Sequence, residues 1–308
     1  CWVYLSNAEG SFSDYIRVYD TPYQGSAGRD NNGQGSYYFT TPTPGAENAA
    51  GVSLICASPV FQTKDGVYDD VDSVTVAIQA AGEIHYTTNG SLPSRSDPLY
   101  TEPLALTETT VIRAAAFEEG KLRSDVITKT YIINEHHTLP VISISAPDSS
   151  LFGTSGIYKD SWVDKEVPCH LALYENGEGF SIDCGIEMFG HTNLSMPKKS
   201  FKVQFRGVYG SEVLGYPVYG ADGPQVYEAL VIRGGQDYPR SIIRDELFTS
   251  LCRQMGDNVL AQRDKFSILY INGEYFGIYS MKEAFSEAMY AVNKGVSKES
   301  VTMFQAPL

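Results

Sequence analysis

Residues 167–186, VPCHLALYENGEGFSIDCGI, alternate apolar and polar positions on both sides of Asn176-Gly177. Alternation with a period of two marks a strand with one buried face, and Asn-Gly supplies the positive φ angles of a two-residue turn. The pattern predicts a hairpin in which Glu175 faces Glu178 and, counting outward, Cys169 faces Cys184. FSILYINGEYFGIYSMKEAF (266–285) repeats the device around Asn272-Gly273. Between the hairpins, KSFKVQF puts Lys199, Phe201, Val203 and Phe205 on one strand face and Ser200, Lys202 and Gln204 on the other. The period changes in RSIIRDELFTSLCRQMG (240–256), where Ile242, Ile243, Leu247, Leu251 and Met255 recur near helical spacing and Gly256 supplies the stop. A further helix is predicted over SEAMYAVNKG.

Upstream, SVTVAIQ, EIHYTTNG, TTVIRAAAF and VITKTYII are short strand patterns at β-sandwich spacing, separated by turn residues. The run TPTPGAEN, rich in Pro and Gly, breaks strand pairing and marks a domain end. The polar stretch NEHHT (134–138) reads as a linker, its adjacent histidines pointing apart with no third metal ligand. Three segments result, 1–50, 51–134 and 139–308, the first too short to close a sandwich well.

At 308 residues the chain is long enough for two or three cores. A formal charge of −14 excludes a general binder of nucleic acid or anionic membranes, which needs a cationic face. No run approaches the ~18 consecutive apolar residues that a membrane helix requires, and no charged-then-apolar leader is visible. Five cysteines form no Cys-x-x-Cys or Cys/His spacing, which argues against structural zinc. Cys169 and Cys184 are read either as two buried apolar residues or as a cross-strand disulfide, which would suit an extracytoplasmic protein. Asp97, Glu102, Glu118 and Glu119 fall in turns and at strand ends, as solvated charges do.

Against this acidic background, HTNLSMPKKSFKVQFR (191–206) concentrates cations at Lys198, Lys199 and Lys202. The order of elements is hairpin, lysine-bearing strand, helix, hairpin, then a short connection carrying Glu283. That is the order of a protein kinase small lobe, in which a strand lysine contacts nucleotide phosphates and a helix acid holds it. By this analogy alone the helix acid is Glu246. Strand alternation aims Lys202 away from the apolar face and towards a cleft, and Lys198 reads as a solvent-facing neighbour. His191 reads as a polar loop residue.

LPVISISAPDSSLFGTSGIY (139–158), FGHTNLSMPKKSFKVQF (189–205), LVIRGGQDYPRSIIRDEL (230–247) and LYINGEYFGIYSMKE (269–283) together resemble the spore-coat-protein-H (CotH) kinase family. IHYTTNGSLPSRSDPLYTEPLAL (84–106) with IRAAAFEEGKLRS (112–124) resembles the accessory domain at the C-terminus of chitobiase and related hexosaminidases. GRDNNG (28–33) and PTPGAEN (42–48) resemble the end of a lamin-tail-like domain. The implied fold is mainly β and multidomain: two immunoglobulin-like β-sandwich modules, the first incomplete, followed by an α+β atypical-kinase small lobe.

The resemblance further implies a secreted or surface protein, with the spore coat as one location, that uses ATP with Mg²⁺ or Mn²⁺ to phosphorylate Ser on coat or surface proteins. Cell-wall carbohydrate is a second expected partner. The family match favours Lys199 for phosphate contact where alternation favours Lys202, and both stay candidates. Gly190 falls in the turn before that strand, where backbone could approach phosphates. Arg233, Asp237, Arg244 and Asp245 match the family's Arg-Gly-Gly and Arg-Asp runs, with Asp245 rather than Glu246 as its helix acid. Glu283 matches the acid after the last strand, although Ala284 replaces the usual arginine. The catalytic and metal-binding acids are expected beyond Leu308, so residues 1–308 alone are expected not to turn over; a non-catalytic surface or carbohydrate-associated binding protein with a degenerate kinase-like region is the alternative, and such acids would discriminate the two.

Overall fold

The computed structural model of the protein describes residues 2–17, 25–30, 33–235, 243–256 and 260–304. Asp237 and Ile242 lie outside them. Two compact units are present: Cys1–Asp65, Asp72–Thr107 and Ile112–Lys129 form one, and Gly66–Val71, Glu108–Val111 and Thr130–Leu308 the other.

In the first unit, strands form within the predicted runs SVTVAIQ, EIHYTTNG and TTVIRAAAF, and also among residues 2–39. Trp2–Ser6 pairs with Phe12–Arg17, and Ser26–Gly28 with Tyr37–Phe39, each as an antiparallel two-stranded ladder. Trp2, Val3, Tyr4 and Leu5 are exposed, so the first ladder has no covering layer among the described residues. Val74–Val76 pairs with Leu104–Leu106, and Glu83–Thr87 runs antiparallel to the stretch Arg113–Phe117. Ile84, Ala114 and Ala116 are buried there, and the one long charged side chain among them, Arg113, donates to the Gly90 carbonyl at 2.7 Å. Asp97 caps its own turn through Ser94, and Glu118 pairs with Lys121, as solvated turn charges should.

The second unit is a closed seven-stranded barrel. Its strands are β1 (Val141–Ser145), β2 (Val167–Glu175), β3 (Glu178–Phe189), β4 (Ser200–Gln204), β5 (Ala229–Arg233), β6 (Asp264–Ile271) and β7 (Glu274–Glu283). Helix α1 (Arg244–Gln254) lies between β5 and β6, and α2 (Glu287–Lys294) follows β7. The order around the barrel is β1-β2-β3-β4-β5-β7-β6, and a parallel β6–β1 pair closes it. Alternation fills the interior: Ile142, Leu171, Ile186, Phe201, Val203, Ile232, Leu269 and Met281 share one apolar core. The NEHHT segment is docked rather than free, with His137 Nε2 2.7 Å from the Tyr270 hydroxyl.

Both hairpins close on Asn-Gly with positive φ, 52° and 80° at Asn176 and Gly177 and 51° and 86° at Asn272 and Gly273. The first register opposes Glu175 to Glu178 and Cys169 to Cys184, as counted from the sequence. The two cysteines are free thiols, their sulfurs 3.5 Å apart in the barrel core. The Cys184 thiol is held well above its ordinary pKa, first by its hydrogen bond with Cys169 and then by burial. Both helices form at the predicted places. Ser286 caps α2 by accepting from the Met289 N–H, and Gly295 ends it at φ 64°.

Two glycines in the first hairpin separate conformational strain from collision. A Cβ at Gly177 meets open space, so Gly177→Ala should cost only the left-handed penalty, about 1–2 kcal/mol in urea unfolding. A Cβ at Gly179 would lie 1.7 Å from the Leu173 carbonyl oxygen, so Gly179→Ala should cost clearly more than Gly177→Ala.

Candidate functional site

The polar side chains of β4, β5 and β7 stand on the barrel's outer face, opposite the apolar set. One row across the strands runs Glu187, Lys202, Val231, Lys282 and Asp264, each opposed to the next in the ladder. Arg233 follows Val231 by two residues and therefore shares its face. Lys202 Nζ lies 3.3 Å from Glu187 Oε1, which also accepts from Gln204 at 2.8 Å.

Helix α1 is tied to this face by charge. Lys282 is only 2% exposed, and its ammonium lies 2.5 Å from Asp245 Oδ2 and 3.3 Å from Glu246 Oε1. Arg233 Nε reaches the same Asp245 oxygen at 3.3 Å. Arg253, in the last turn of the helix, lies 3.4 Å from Asp264. Burying an ammonium is unfavourable unless carboxylates surround it, so the acid-bearing side of α1 must turn inward. The apolar stripe expected from the spacing consequently faces solvent, with Ile243, Leu247, Phe248, Leu251 and Met255 all exposed. Buried Glu246 keeps one oxygen, Oε2, without a hydrogen-bond partner.

The charges move the carboxyl pKa values in opposite directions. Burial pushes Asp245 up, but the Lys282 hydrogen bond and the charges of Lys282 and Arg233 together outweigh it and hold the group below its ordinary value. Asp264 is raised, first by burial and further by the Glu246 charge, against the pull of Lys282 and Arg253.

The other candidates sit apart from this row. Lys199 precedes β4 and turns back onto its own loop, its ammonium held by the carbonyls of Leu194 and Met196. Lys198 is not solvent-facing: it donates to the Ile278 carbonyl and lies 4.4 Å from the Tyr279 ring centre. Gly190 has φ 108° in the turn after β3, a conformation that favours glycine. Arg244 is exposed at the first position of α1. Glu283 is the buried last residue of β7, not a connection residue, and both its oxygens are occupied: Oε2 by the Arg263 N–H at 2.7 Å, Oε1 by Asn293 Nδ2 at 2.9 Å. It clamps the start of β6 and α2 to the strand end.

Lys282 is the residue that sequence reasoning passed over. Alternation in YSMKEAF does place it opposite buried Tyr279 and Met281, the signal that separated Lys202 from Phe201. At the Ala229 end of the same face, Val226, Ala229, Ala284, Met289, Val292 and Val296 line a largely apolar cavity of about 330 Å³. Ala229 and Arg233 are four residues apart on one strand, roughly 13 Å at strand rise. Among the described residues no group of three His, Cys, Asp or Glu is placed to hold a metal ion, so the described side chains do not fit a resident metal.

A mainly β protein of several sheets, with strand cations paired to the acids of a helix, is the class these features define. Residues 186–306, from β3 to beyond α2, match the family model described as CotH kinase protein. Residues 74–131 of the upstream segment match the model described as Fn3 associated. No curated protein matches the chain.

Removing the buried cation should unbalance the cluster. Lys282→Ala leaves Asp245, Glu246 and Asp264 facing one another and should cost about 3–5 kcal/mol in urea unfolding. Glu246→Gln keeps the shape and leaves Lys282 with Asp245, so its cost should be nearer about 1 kcal/mol. Acid titration gives a second check. The depressed Asp245 contributes stability that is full above the ordinary carboxyl pKa of about 3.9 and is lost as pH falls through its lower folded value. The raised Asp264 has the opposite sign, its contribution full at low pH and lost as pH rises through the raised value. Asp245→Asn should therefore flatten the fall in melting temperature on acidification below about pH 4.

Proposed function

We propose that the barrel unit is the nucleotide-binding half of a CotH-like protein kinase, carrying ATP on the outer face of β4, β5 and β7. The observation that carries this reading is the tie between strand cations and helix acids, Lys282 and Arg233 to Asp245 and Glu246, beside an unburied Lys202. Strand cation and helix acid are the parts that a kinase small lobe uses to position phosphates. The match of residues 186–306 to the CotH kinase model supports it. The spacing also suits a nucleotide: the cavity at Ala229 has the size and apolar lining for a base, and Arg233 stands about 13 Å along the strand, within reach of phosphates.

Bound ATP supplies the phosphoryl group. The side chains of this chain position it: Lys202 and Arg233 neutralise phosphate oxygens, and Lys282 fixes α1 so that Asp245 keeps Arg233 oriented. A divalent ion, Mg²⁺ or Mn²⁺, belongs to the proposal for the kinase reaction, with its ligands outside the described residues. So do a Ser-bearing coat or surface protein as acceptor, an extracytoplasmic location, and display on β-sandwich modules of lamin-tail-like and chitobiase-like kind.

A second reading, a surface or carbohydrate-associated binding protein with a non-catalytic kinase-like region, is favoured by Glu283 and Lys199. The protein's own groups occupy the Glu283 carboxylate and hold the Lys199 ammonium.

Calorimetric titration with ATP distinguishes the two. Lys202→Ala and Arg233→Ala should each weaken ATP binding about tenfold or more, while Lys199→Ala leaves it within about threefold. Unchanged affinity in both of the first two variants, with the fold intact by circular dichroism, would sink the phosphate-face assignment. Absence of any ATP binding favours the second reading.

A further inference from the structure

A second chemical constellation stands on the β2–β3 hairpin and takes no part in the nucleotide face. The register opposes His170 to Asp183 and Ala172 to Ser181, so the outward face of the hairpin brings His170, Asp183 and Ser181 together. His170 Nδ1 lies 2.7 Å from Asp183 Oδ1, and its Nε2 lies 2.8 Å from Ser181 Oγ. A carboxylate only accepts hydrogen bonds, so Nδ1 carries the proton and Nε2 presents its lone pair to the serine hydroxyl. That tautomer and orientation let an imidazole take a proton from serine as the serine attacks.

Burial follows the same logic. His170 is 8% exposed, so its ring is fixed and shielded, whereas Ser181 is exposed and open to an incoming group. Only Gly185–Phe189 of β3 pairs with β4, so the part of β3 that carries Ser181 and Asp183 is paired by β2 alone. The closing pair Glu175–Glu178 of a two-residue hairpin is hydrogen-bonded, so by alternation the 172–181 and 170–183 pairs are not. The backbone N–H of Ser181 therefore points to the uncovered edge, where it can donate to a developing oxyanion.

We propose that Ser181 is a nucleophile, with His170 as its general base and Asp183 as a positioning residue, for acyl transfer from carboxylic esters. The Ser181 Oγ–acyl carbon bond forms as the bond to the ester's leaving oxygen breaks. The serine proton passes to His170 Nε2 and then to the leaving alkoxide. Water, deprotonated by the same nitrogen, attacks the acyl-serine, releases the acid and restores the hydroxyl. The exposure of Ser181 on the hairpin face sets the substrate class as small activated esters rather than one shaped ligand.

The full chain is treated with an alkyl fluorophosphonate probe, the labelled residue is mapped by peptide mass spectrometry, and p-nitrophenyl acetate hydrolysis is followed in parallel. Labelling should fall on Ser181 and vanish in Ser181→Ala. His170→Gln should slow labelling about 100-fold or more. Asp183→Asn should slow it as well, and Asp183→Glu, which keeps the carboxylate, should recover part of the rate. An unlabelled Ser181 in the folded protein, or equal rates in the wild type and His170→Gln, overturns the proposal. Should His170→Gln fail to fold, the two Asp183 variants carry the test, and equal rates in Asp183→Asn and Asp183→Glu overturn it.

Discussion

The ammonium of Lys282 is the constraint from which the arrangement of the barrel's outer face follows. It sits on a central strand with 2% of its surface exposed, where an unpaired charge would be strongly unfavourable. Two carboxylates from one helix surround it, and those same carboxylates fix which way the helix rolls. Hydrophobic burial, which orients most surface helices, loses here: the apolar stripe of α1 is left in solvent so that Asp245 and Glu246 can face the sheet. The roll in turn aligns Asp245 with Arg233, and so couples the helix to the strand end at which phosphate would sit.

The barrel makes this division of faces possible. Its interior is mostly apolar, with Phe201, Val203, Ile232 and Met281 packed inward, so the alternate residues of the same strands are free to carry charge outward. A row of Glu187, Lys202, Val231, Lys282 and Asp264 results without any of these charges entering the core. Glu283 breaks the pattern at the strand end, where backbone and amide donors of Arg263 and Asn293 satisfy its carboxylate. The first hairpin uses the same outward face for different chemistry, because its register sets a histidine diagonally between a serine and an aspartate.

Much of the fold was legible in the sequence because it rests on local signals. Both Asn-Gly hairpins, the register of the first with its opposed cysteines, the β4 alternation and the two helices follow from turn chemistry and periodicity, which involve residues near one another in the chain, whereas a bulge at Leu269–Tyr270 shifts the register of the second. Lys202 was separable from the apolar face by the same rule. Alternation extended back to Lys199 puts it with the apolar face, but Lys199 and Lys198 precede β4, where the period no longer applies, and their positions depend on the carbonyls of Leu194, Met196 and Ile278.

The sequence by itself determined which residues form strands, where they turn and which face of each strand is apolar, because alternation and αL-permissive turn residues act locally. It also determined that the three lysines stand out on an acidic chain. Only the tertiary structure decided that the barrel closes through a parallel β6–β1 pair, that α1 turns its acids inward, and that Lys282 is the buried cation. Those outcomes depend on charges from strands and a helix far apart in sequence meeting where water is excluded, and no local pattern encodes that meeting.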